Sequence, residues 1–111
     1  MSAIDRLYNS NNTTVKKSIN IDDTLYNELI KITNKNFSAS ISEVINVAIE
    51  EYVEKNNFKY YPKPEMESVT YRSIMIRKDN LKNLKNINKS TGITFTRLLN
   101  AAIKDFINIY K

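Results

Sequence analysis

Two pairs of adjacent carboxylates, Asp22–Asp23 and Glu50–Glu51, and a scatter of serines are the side chains that could act as acids, bases or nucleophiles. Neighbouring helix positions point about 100° apart, so neither acid pair converges on one substrate atom. The serines have no imidazole to activate them, because the sequence holds no histidine, and no spacing singles out a serine–lysine pair. Cysteine is absent too, which removes disulfides, thiolate chemistry and, together with histidine, the usual zinc ligands. One glycine, Gly92, cannot build a phosphate-cradling loop. The chemistry to expect is recognition, without enzymatic activity and without a cofactor.

The charge distribution gives the first hint of what is recognised. The 111-residue chain carries a net +5, but unevenly. Residues 70–111 hold nine Lys or Arg against Asp79 and Asp105, a net of +7, whereas residues 14–57 set five lysines against seven carboxylates, a net of −2. A basic half suits a polyanionic partner, although a solvated lysine-rich face would have the same composition. With 41% hydrophobic and 26% charged residues, the sequence is that of a globular chain. No run of about 18 apolar residues occurs, and the N-terminal stretch lacks the apolar core of a signal peptide. The expectation is a cytoplasmic protein with no membrane partner.

Positioning comes from an internal repeat. KSINIDDTLYNELIKI (17–32) matches RSIMIRKDNLKNLKNI (72–87) at an offset of 55, and SISEVINVAIEEYV (40–53) matches TFTRLLNAAIKDFI (94–107) at an offset of 54. Agreement of identities and of pattern marks two copies of one structural unit. Each copy opens with alternation over about five residues, the period of a half-buried strand. Ile19 and Ile21, like Ile74 and Ile76, point one way; Lys16, Ser18 and Asn20, like Tyr71, Ser73 and Met75, point the other. A helix follows, begun by Asp22, Asp23 or Thr24 in one copy and by Asp79 in the other, with Leu25, Leu29 and Ile32, or Leu81, Leu84 and Ile87, on its inner face. A second helix carries a wider apolar stripe, Ile41 to Val53 or Phe95 to Ile107, with Ser40 and Thr94 at the N-cap position. One copy alone has unpaired strand edges and too little core. Two copies solve both problems if their strands pair antiparallel. The organisation expected is a flexible extension over 1–14, a first unit over 15–56, a linker over 57–68 marked by Pro62 and Pro64, and a second unit over 69–111. Pairing within one chain and exchange between chains both satisfy the pattern.

Strand, helix, turn and helix in this order, with SINIDDTLYNELIKI, SISEVINVAIEEYV and GITFTRLLNAAIKDFI as the carrying stretches, resembles the ribbon-helix-helix family of the phage Arc and methionine repressors and the plasmid copy-control repressors. The resemblance spans both units, and having two in one polypeptide is similar to the fused form of some conjugation and archaeal viral regulators. It implies a mainly α fold with a short antiparallel β-ribbon, formed by tandem units as an intramolecular pseudo-dimer. It also implies double-stranded DNA as partner, with the ribbon in the major groove. Carried onto this sequence, the base-contacting side chains are Lys16, Ser18, Asn20, Tyr71, Ser73 and Met75. Phosphate contacts fall to Ser40, Ile41 and Ser42 and to Thr94, Phe95 and Thr96 at the starts of the second helices, with Lys17 and Arg72 flanking the ribbon.

The two copies differ in their outward residues, so a symmetric operator is not required. Transcriptional repression, often autoregulatory, is the leading reading. A plasmid-partition adaptor is the runner-up; it would assemble with further copies of itself on DNA repeats and contact a filament-forming motor, with residues 1–14 or FKYYPKPEM as the docking segment. A relaxosome accessory role, and more remotely a helical protein–protein module with no DNA role, complete the set.

Overall fold

Isoleucines at alternate positions favour extended backbone, because branching at Cβ stiffens the side chain and packs well on a pleated surface. The computed structural model describes residues 13–36, 39–56 and 68–110. In it, Ile19, Ile21, Ile74 and Ile76 are the buried apolar positions of two strands, β1 (Thr14–Asp22) and β2 (Val69–Arg77). Each strand has nine residues, longer than the five of strict alternation. The strands form one two-stranded antiparallel sheet. Helices α1 (Asp23–Asn36) and α2 (Ile41–Lys55) follow β1, and α3 (Lys78–Thr91) and α4 (Phe95–Tyr110) follow β2, so the fold is mainly helical. The proposed extension, apart from Thr13 and Thr14, and residues 57–67 of the proposed linker lie outside the described residues. The first unit's strand begins at Thr14, one residue before the expected start of that unit at 15.

The strand register reproduces the sequence repeat. Ser18 pairs with Ser73, its own counterpart. On either side the pairs are exchanged by the repeat: Lys16 lies across from Met75, and Asn20 lies across from Tyr71. The same relation holds where the strands enter their helices. The Asp23 N–H donates to the Ser68 carbonyl and the Lys78 N–H to the Thr13 carbonyl, both at 2.9 Å. At the start of α3 the Thr13 carbonyl does the work expected of Asp79. Arg77 holds the N-cap of α3 without a side-chain capping hydrogen bond, and Asp79 lies exposed inside its first turn. The strand continues directly into the helix because the opposite strand already occupies the orphan donor.

Apolar residues three and four apart bury a broad face of each second helix. Ile45 and Ile49 of α2 and Leu99 and Ile103 of α4 have no exposed surface, and each contributes roughly 1.5–3 kcal/mol by burial. α2 packs on α4 along this stripe, α1 packs on α4, and α3 packs on α2. The first helix of each unit thus rests on the second helix of the other as well as on that of its own unit. Leu29, Ile32, Leu84 and Ile87 reach the core from α1 and α3, with Leu25 and Leu81 half-buried at its edge.

The turn between α3 and α4 uses the one glycine. Gly92 ends α3 in the left-handed region at φ 76°, and its N–H bonds the Asn88 carbonyl at 2.9 Å. A Cβ there would meet nothing within 4 Å, so the cost of substitution is conformational. Gly92→Ala is expected to lose about 1 kcal/mol and Gly92→Asn less, since asparagine tolerates this region, as Asn56 does at φ 54° after α2. Thermal melts of the two variants check this ordering.

Burial, and secondarily the charge of Asp105, push the Tyr52 hydroxyl above its usual 10.0. The folded chain therefore favours the neutral phenol. Its contribution to stability is full below the unfolded pKa and is lost as pH rises through the higher folded value. Urea melts on the alkaline side are expected to fall less steeply with pH for Tyr52→Phe than for the natural chain.

Candidate nucleic-acid interface

The outer face of the ribbon is built from three cross-strand pairs: Lys16–Met75, Ser18–Ser73 and Asn20–Tyr71. All six side chains are exposed, including 67% of Tyr71 and 42% of Met75. At the centre the Ser18 and Ser73 hydroxyl oxygens lie 3.4 Å apart. One end offers a cation beside a thioether, the other an amide beside a phenol. This face presents hydrogen-bonding groups and apolar contact side by side, with the β ladder holding their spacing.

What keeps the ribbon in place is a pair of residues that sequence reasoning does not single out as functional. Asn46 and Asn100 occupy equivalent positions in α2 and α4, and each is 3% exposed or less. The Asn46 amide donates to the Met75 carbonyl at 2.8 Å, and its oxygen accepts the Arg77 N–H at 2.8 Å. The Asn100 amide donates to the Asn20 carbonyl at 3.1 Å, and its oxygen accepts the Asp22 N–H at 3.1 Å. Each asparagine also donates to a carbonyl one turn earlier in its own helix, Ser42 or Thr96. Each unit's second helix therefore grips the other unit's strand. The signal lies in the repeat: one polar identity preserved inside two otherwise apolar stripes.

The predicted phosphate positions lie where α2 and α4 begin, and the two ends differ. At α2 the Ser40 hydroxyl accepts the Glu43 N–H at 3.2 Å, while the Glu43 carboxylate accepts the Ser40 N–H at 3.1 Å. A carboxylate already sits on that helix end. Ile41 and Ser42 are half-buried, and the Ser42 hydroxyl accepts the Met75 N–H at 3.2 Å, tying the helix start to β2. At α4 the Thr94 hydroxyl accepts the Arg97 N–H at 3.4 Å, and the first turn contains no acidic residue. Thr94 and Thr96 are exposed and Phe95 is half-buried. Arg97 stands at the repeat position of Glu43, so the second end exchanges an anion for a cation. Asn20, Asp22, Val69, Thr94, Thr96, Arg97 and Asn100 line a cleft between this end and the ribbon.

Arg72 and Lys17 do not sit alike. Arg72, expected to flank the ribbon, turns to the inner side of the sheet. Its guanidinium donates to the Ile21 carbonyl at 3.2 Å, to the Thr70 carbonyl at 3.3 Å and to the Asp23 carboxylate at 3.1 Å, and it stacks 3.8 Å above the Tyr26 ring. Its partners are internal, with about a fifth of the side chain exposed. Hydrogen bonds from Thr70 and Ser68, with the Arg72 guanidinium beyond them, hold the Asp23 carboxyl below its usual range. That contribution is present above the unfolded pKa and fades as pH falls through the folded one. Lys17, the counterpart of Arg72, lies across from Ile74 and remains exposed.

Among the described residues, no helix is long and apolar enough to cross a membrane. Comparison with known protein families, with curated proteins and with solved structures finds no match to this chain.

Proposed function

We propose that this chain is a sequence-specific double-stranded DNA-binding protein of ribbon-helix-helix type, whose two units act as an intramolecular pseudo-dimer and repress transcription. The observation that carries this reading is the outer face of the ribbon: six exposed, chemically varied side chains in register, held from beneath by Asn46 and Asn100. A two-stranded ribbon fits the major groove of B-DNA, where each base pair has its own donor and acceptor pattern. Asn20 pairs with adenine, Lys16 with guanine, Ser18 and Ser73 with either partner type, and Tyr71 and Met75 meet thymine methyl groups.

The backbone is held by the helix ends and by surface cations. Free N–H groups and the dipole at the start of α4 favour a phosphate, and Arg97 adds charge there. Glu43 makes the start of α2 the weaker anchor. Arg72 serves the fold, and Lys17 remains a phosphate contact. The bound site is then unsymmetrical in both its bases and its backbone grip. A protein seated in a promoter's major groove represses by occupancy.

Selection of binding sites from a random duplex pool tests the reading. An unsymmetrical core sequence is expected, bound more weakly by the Ser73→Ala/Met75→Ala chain. Retention that falls steeply with salt is expected as phosphate contacts release counterions. Arg97→Ala is expected to reduce affinity for all duplexes alike and lower the salt slope by about one, checked by titrating binding at several salt concentrations. Failure to enrich any sequence at low salt would overturn the proposal.

A further inference from the structure

The two crossings between strand and opposing helix carry opposite charge patterns. At one crossing Arg77, at the end of β2, bonds Glu50 of α2 at 2.7 Å, with both side chains largely buried. Asn80 adds a hydrogen bond to the Glu50 carboxylate at 3.0 Å and another to the Asn46 oxygen at 2.9 Å. The repeat carries Arg77 onto Asp22, Glu50 onto Lys104 and Asn80 onto Leu25. Where one crossing has a cation on the strand and an anion on the helix, the other has an anion on the strand and a cation on the helix.

We infer that this reversal is a pairing code: the underside of each unit is an interaction surface that accepts the unlike unit and rejects a second copy of itself. Two first units would set Asp22 against Glu50 at both crossings, with Leu25 where Asn80 donates. Two second units would set Arg77 against Lys104 at both, with no Glu50 carboxylate for Asn80. Asp22 and Arg77 are 2% and 6% exposed, so Glu50 set against Asp22 would be poorly screened, while the exposed Lys104 would repel Arg77 more weakly. Apolar stripes alone would not discriminate, since both units present the same helical pattern. The code makes unlike pairing the rule even where chains are crowded, and it fixes the ribbon as one Lys16–Met75 end and one Asn20–Tyr71 end. It concerns assembly and holds whether or not the ribbon reads DNA.

The absence of cysteine permits a direct test on the full chain. In a like pair of first units, the register would place residue 18 beside residue 18 of the second chain, so Ser18→Cys would form an interchain disulfide. In the unlike pair the new thiol faces Ser73 and cannot. Asn20→Cys measures background collision, because a like pair sets residue 20 across from residue 16. Ser18→Cys/Ser73→Cys is the positive control, its parent oxygens 3.4 Å apart. Chains are refolded from urea at high concentration in oxidising glutathione. With natural charges, the Ser18→Cys chain is expected to dimerise no more than the Asn20→Cys chain does. Adding Asp22→Arg and Lys104→Glu makes every crossing complementary, like or unlike. That change is expected to raise disulfide dimers of the Ser18→Cys chain by about tenfold, since like-charge contacts are what suppress them. Arg77→Asp with Glu50→Lys achieves the same with the opposite sign, should the first set not fold. Refolding the natural-charge Ser18→Cys chain in high salt weakens the repulsion as the units meet, and more dimer than at low salt is expected. Dimers of that chain above background at low salt would overturn the inference. So would a cooperatively melting charge-matched chain that stays at background.

Discussion

Alanine at Asn46 is expected to destabilise the fold by about 3 kcal/mol, a large share of the roughly 5–15 kcal/mol that holds a domain of this kind together. The side chain closes a buried network: it joins the Met75 carbonyl, the Arg77 N–H and the Asn80 amide in one place. Truncation leaves backbone groups of β2 without partners where water does not reach, and each such group costs about 1–3 kcal/mol. Asn100→Ala removes the symmetric grip on Asn20 and Asp22 but no second amide equivalent to Asn80, so a smaller loss is expected. Leucine at Asn46 fills the space and still leaves the strand unpaired, which separates lost hydrogen bonding from lost volume. Urea melts followed by circular dichroism measure all three. A loss under about 1 kcal/mol for Asn46→Ala would mean that the strand finds other partners.

The second large effect concerns binding. Replacing Asn20 and Tyr71 together with alanine is expected to weaken binding to a selected duplex by about 100-fold, from about 1–3 kcal/mol of base discrimination per contact. Both side chains are exposed and lie across from each other at one end of the ribbon, so thermal stability is expected to change little. The loss falls on one half of an unsymmetrical site, and base changes in that half are expected to cost the variant less than they cost the natural chain. Fluorescence anisotropy with the selected duplex and with half-site variants reads this directly. Equal losses on unrelated DNA would place these residues among general backbone contacts.

Much of the architecture is legible in the sequence because two periods are written there twice. Ile19 and Ile21, with Ile74 and Ile76, mark strands by alternation, and the stripe from Val44 to Tyr52 marks a buried helix. Their repetition at offsets of 55 and 54 brings the antiparallel pairing within reach, since one strand needs a partner of its own kind. What escapes are contacts with no local signature. Asn46 is a polar residue in an apolar stripe until the opposing strand supplies its partners. The first-turn donors of Asp23 and Lys78 are met by the carbonyls of Ser68 and Thr13, which are far away in the chain. Arg72 reads as a surface cation because neither Tyr26 nor Asp23 is near it in sequence, and only the paired strands bring all three together. The contrast between the two helix starts, Glu43 against Arg97, is visible in the aligned copies, but its meaning depends on seeing both ends beside the ribbon.

Methylation interference on a selected duplex tests the central proposal, that the ribbon reads the major groove, most directly. Guanine N7 methylation places a group in the major groove, and adenine N3 methylation places one in the minor groove. The account predicts a short, unsymmetrical cluster of interfering guanines, no interference from adenine N3, and loss of the cluster's pattern in the Ser73→Ala/Met75→Ala chain. Interference confined to the minor groove, or an identical pattern from the natural chain and the ribbon variant, would contradict it.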